Sequence, residues 1–71
     1  MSRSYEQFKS YKEVEDFCRS KNLQIIKIEN NFIRVANIIN ENNTEIAYLT
    51  KREKAYVSSL KDDTQWVMIL E

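Results

Sequence analysis

A chain of 71 residues with no glycine and no proline has to turn without the two residues most often used for turning. At ordinary usage, about 7% Gly and 5% Pro, roughly eight such residues would be present. Left-handed backbone positions then fall to asparagine, whose short polar side chain tolerates φ > 0. Asn22, the pair Asn30-Asn31 and the Asn-rich stretch 40–43 are the expected turning points. The same absence excludes phosphate-cradling and dinucleotide loops, which need glycine for close backbone approach.

Chemistry is limited further by zero histidine and a single cysteine, Cys18. No zinc set can be assembled from them, and no His can activate a nucleophile. The expectation is a protein without cofactor or metal that is not an enzyme. Eleven basic and eleven acidic side chains cancel, so no net field draws the chain to nucleic acid or to an anionic membrane. No apolar run is long enough to span a bilayer, and the first residues lack the apolar core of a signal peptide. With one thiol, a reducing, cytoplasmic setting is expected, with no membrane association. Ile, Asn and Lys supply 22 residues, against seven from Gly, Ala, Pro and Arg, which suggests an AT-rich genome such as that of a low-GC bacterium or its phage.

At this length one domain is expected over residues 1–71, near the lower size limit for folding without disulfides, metals or partners. Self-association, a homodimer for example, is therefore expected more than for a larger chain. The apolar fraction of 42% is ordinary for a folded domain.

Ser10-Tyr11-Lys12-Glu13 has capping-box form, and Tyr11, Val14, Phe17 and Cys18 follow as one apolar stripe. The spacing predicts a helix over 11–21, with Asn22 left-handed at C′ before Leu23 packs back. Residues 1–9 are read as a partly ordered arm.

From Leu23 the period changes to two. Residues 23–29 and 32–39 read as a hairpin turning at Asn30-Asn31, which pairs Ile28 with Ile33 and Ile26 with Val35. Thr44–Thr50 reads as a third strand, with Ile39 opposite Thr44 and Tyr48 opposite Val35. This register places Ile26, Ile28, Ile33, Val35, Ile39, Ile46 and Tyr48 on one side, taken as the core face. Thr50–Glu53 repeats the capping-box form and favours a short helix over residues 51–61, with a strand from Ala55 as the alternative. Trp66–Leu70 is a continuous apolar run, as expected of a buried strand. The fold class is α+β: an N-terminal helix, a three-stranded antiparallel meander, a short second helix and a last strand joining the sheet.

Cys18 falls on the inward stripe and is expected to be a core thiol. Glu13, Glu15 and Asp16 are expected to form a solvated acidic face, with Asp62-Asp63 too far along the chain to assign as a partner for them. The second sheet face carries Leu23, Ile25, Ala36, Ile38, Ala47 and Leu49 at one end and Lys27, Phe32, Arg34 and Lys51 near the turn. One helix covers only one face, so either the second helix or a partner must cover the other. The expected partner-binding residues are Ile25, Ile38 and Leu49, with Lys27, Phe32, Arg34 and Lys51. The expected function is stoichiometric binding of another protein as regulator or inhibitor, such as a phage or mobile-element antagonist of a host protein. The alternative is nucleic-acid binding through the basic and aromatic patch; no small-molecule substrate is inferred.

Overall fold

The computed structural model describes residues 4–71, which form one helix and a five-stranded antiparallel sheet. The elements are β1 (Tyr5–Phe8), α1 (Tyr11–Ser20), β2 (Gln24–Lys27), β3 (Ala36–Ile39), β4 (Glu45–Lys51), a 3-10 turn (Arg52–Lys54) and β5 (Trp66–Leu70). Strand order is β1-β5-β4-β3-β2. The α+β class therefore stands, while the meander has four strands and a fifth is added at its edge.

Helix α1 forms where its caps allow. Ser10 Oγ accepts from the Glu13 amide at 3.2 Å, and the Glu13 carboxylate accepts from the Lys9 amide at 2.9 Å. At the other end the Asn22 and Leu23 amides donate back to the Arg19 and Cys18 carbonyls, with Asn22 at φ 58. This is the Schellman closure expected of a left-handed C′ asparagine. Because β1 and β2 are the two outer strands, the helix joining them has to cross the sheet. It buries Val14 and Cys18 against Ala36, Ile38, Ala47, Leu49 and Met68.

That contact reverses the expected faces. Ile38 and Leu49 are fully buried and Ile25 packs half-buried beside them, so the surface read as a docking face is the core. Ile26 and Ile33, expected inside, are 46% and 40% exposed. The alanines supply the reason: Ala36 and Ala47 leave no bulk between helix and sheet, so α1 seats where the residues are smallest. Apolarity alone does not separate two sets of similar hydrophobicity.

The register differs too. Ile26 faces Asn37 and Lys27 faces Ala36, two residues from the expected pairing, and Tyr48 faces Asn37. Asn30 is left-handed at φ 60, but Asn31 is not among the left-handed residues; its side chain accepts from the amides of Ile33 and Arg34. A two-residue turn with both positions left-handed is thereby replaced by a wide connection closed by Ile28 N–H to Val35 O. The next loop turns through left-handed Asn43, with the Asn40 side chain accepting from Asn42 and Thr44. A register shift between Ile38 and Ile39 leaves Ile39 opposite Glu45.

Two further expectations are corrected. Of the supposed arm, residues 1–3 lie outside those described, and Tyr5–Phe8 is a strand paired to β5, with Phe8 in the core. Four residues are too few for alternation to show. In the segment 51–61, Lys51 ends β4 and only the 3-10 turn follows, since Tyr56 and Ser59 have φ 54 and 71 and neither helix nor strand passes through them. Trp66–Leu70 is the buried strand expected, held between β1 and β4.

Phe8 stacks edge-on against Phe17, with centroids 5.3 Å apart, and ties β1 to the helix. Phe8→Ala should cost about 3–5 kcal/mol in urea unfolding; a loss below about 0.5 kcal/mol would return residues 4–8 to the status of an arm.

A candidate cleft on the outer sheet face

The sheet face turned away from α1 is built by alternation from Tyr5 and Gln7 of β1, Val67 and Ile69 of β5, Tyr48 and Thr50 of β4, Asn37 of β3 and Ile26 of β2. No helix covers it. Part of it is roofed by loops, and Thr50, Val67 and Thr64 are buried there. The Thr50 hydroxyl donates to the Ile33 carbonyl at 2.8 Å, holding residues 28–35 down. Gln7 Oε1 accepts from the Lys61 amide and the Thr64 hydroxyl, both at 2.8 Å, and the Arg52 guanidinium donates to the Asp62 and Thr64 carbonyls.

Between these anchors residues 55–59 stand over the sheet and leave a cavity of about 470 Å³. Tyr5, Tyr48 and Ile69 line it from the strands, and Ala55, Tyr56, Val57, Ser58 and Ser59 from the loop. Its size is that of ordinary ligand clefts, about 300–1,000 Å³. Its polar side-chain groups are five hydroxyls, none hydrogen-bonded to another described residue. Tyr56 is 80% exposed at its rim. Tyr48 is fixed from the side: the Arg34 guanidinium lies 4.2 Å from its ring centroid, and Arg34 is paired with Glu45 at 3.1 Å and Glu71 at 3.6 Å.

The residues expected to bind a partner are thus dispersed. Ile25, Ile38 and Leu49 belong to the core. Lys27 and Lys51 share the helix side of the sheet by register, and Lys27 approaches the Tyr11 ring at 5.8 Å. Arg34 is on the outer side between two carboxylates, and Phe32, 75% exposed, lies under Lys54 at 3.4 Å. No single basic and aromatic patch unites the four. The cleft residues Tyr5, Tyr48 and Tyr56 fall in the expected arm, core face and second helix, and no spacing links them. Only the antiparallel return of β5 between β1 and β4 brings Tyr5 near Tyr48.

Two of the three acidic residues of α1, Glu13 and Asp16, are engaged locally. Asp16 pairs with Lys12 and Arg19, and Glu13 caps the helix. Among the described residues no group of three potential ligands is placed to hold a metal ion, and no helix is long and apolar enough to cross a membrane. Asn37 Oδ1, beside Tyr48, is buried without a hydrogen-bond partner among the described residues. Asn37→Val should therefore raise stability by about 1 kcal/mol in urea unfolding.

Cys18 is buried under the helix, and burial pushes its thiol above the usual value. The folded state then keeps a proton that the unfolded state releases above about pH 8.5. Stability is fully present below that pH and falls as pH rises toward the folded value. Burial, then the charge of Glu15, also raises Tyr11, whose contribution begins near pH 10. Urea midpoints at about pH 7 and pH 10 should fall more for the native sequence than for Cys18→Ala; equal falls would mean a solvated thiol.

A comparison with protein-family models, with curated proteins and with solved structures finds no match to this chain.

Proposed function

We propose that the chain is a non-enzymatic binding module that recognises another protein through its outer sheet face, acting stoichiometrically as a regulator or inhibitor. The observation that carries this reading is an asymmetry. The exposed large apolar residues Ile26, Phe32, Ile33 and Tyr56 all lie on the outer face or on the two loops bordering it. The helix side buries its large apolar groups, whereas the outer side keeps aromatic rings in water beside a cleft, the composition of an interface centre. Cys18 offers no reactive thiolate, because it is buried and its ionisation is disfavoured.

Nucleic-acid binding is the competing expectation, and salt separates the two. Apolar contact should survive about 0.5 M NaCl, whereas phosphate contacts weaken steeply as counterions are added. Immobilised protein in lysate of a low-GC bacterium should retain a partner at that salt. The Phe32→Ser/Ile26→Ser double variant should lose it, and Lys12→Ala, on the exposed side of α1, should not. Retention by the double variant, or release by salt alone, would refute the reading.

A further inference from the structure

We propose that the cleft between residues 55–59 and the sheet takes a proline-rich segment of the partner in extended, polyproline II form. The inference rests on the protein-binding reading above and names the class of segment recognised. Tyr5, Tyr48 and Tyr56 contribute three aromatic rings to one cavity, with Ala55, Val57 and Ile69 as apolar lining. No carboxylate, ammonium or guanidinium lines it, so the matching ligand is uncharged where it enters. A phosphate or a nucleotide would find no cation there; Arg34, beside Tyr48, is already held by Glu45 and Glu71.

What the lining does offer is hydroxyl donors. Five of them, on Tyr5, Tyr48, Tyr56, Ser58 and Ser59, have no hydrogen-bond partner among the described residues. A polyproline II segment has the converse chemistry. Its carbonyls have no partner within the segment, its prolines carry no N–H to satisfy, and its pyrrolidine rings pack on aromatic faces. The occupant cannot come from this sequence, which contains no proline.

The cleft is preformed on the side of Tyr48, clamped by Arg34, and open on the side of Tyr56. Tyr56 lies in the left-handed region at φ 54, where a bulky side chain is rare, and its ring is left to solvent at the rim. Packing does not account for placing it there, and contact with a ligand does.

The test uses the full chain, isotopically labelled, titrated with blocked decaproline and separately with a glycine-serine peptide of equal length. Amide shifts should appear with decaproline only and concentrate at Tyr5, Tyr48, residues 55–59 and Ile69. Tyr56→Asn, which suits the left-handed backbone and removes the ring, should keep the native spectrum and weaken binding by about tenfold. Tyr48→Phe, which keeps the ring and deletes one donor, should weaken it less. No shift at about 5 mM decaproline, shifts elsewhere, equal response to the glycine-serine peptide, or unchanged affinity in Tyr56→Asn each overturn the proposal. If capture by the outer face persists while decaproline fails, the peptide class is wrong and protein binding stands. Failure of the native chain to capture any partner overturns both.

Discussion

The structure depends on α1 reaching from one edge of the sheet to the other. β1 and β2 flank the helix in sequence and are the two outermost strands in space, so the ten-residue helix and its short connections must span the strands between them. Such a crossing is stable only over a low surface. Ala36 and Ala47, both fully buried, provide it, and Ile38, Leu49 and Met68 close around Val14 and Cys18. Once the helix is committed to that side, the opposite side has only loops to cover it, and the hydroxyl-lined cleft is what the loops leave uncovered.

Local features were legible where one residue type decides the backbone. The capping serine, the apolar stripe of α1, the left-handed Asn22 and the buried run Trp66–Leu70 follow from caps and periodicity that no distant contact overrides. The face choice was not legible. Strands 24–27, 36–39 and 45–51 carry comparable apolar character on both sides, and the deciding property is side-chain size at Ala36 and Ala47. Register slipped for a related reason, because Asn31 spends its side chain on two amides instead of adopting the backbone of a tight turn. The cleft was invisible for a third reason. Its residues come from β1, β4, the 55–59 loop and β5, and only tertiary pairing assembles them.

Among the described residues five have positive φ, and they divide by location. Asn22, Asn30 and Asn43 sit at a helix end and in two strand connections, where a tolerant residue serves an ordinary turn. Tyr56 and Ser59 are less tolerant types, and both line the cleft. In a chain without glycine, the left-handed positions filled against preference are those beside the candidate site, the distribution expected when backbone strain is retained for function rather than for folding.

The position of β5 has a consequence for how the chain reaches its native state. Strand β1 pairs with β5 alone, and Gln7 of β1 anchors Lys61 and Thr64 across more than fifty residues of sequence. On a growing chain, residues 5–8 therefore have no strand to pair with until residues 66–70 have been made. Helix α1 and the strands β2, β3 and β4 can associate earlier, but the β4 edge that receives β5 then stays open, with Leu49 and Thr50 beside it. Sheet closure is a single late event joining the earliest strand to the latest one, and folding of this small protein should be slower and more cooperative than its length suggests.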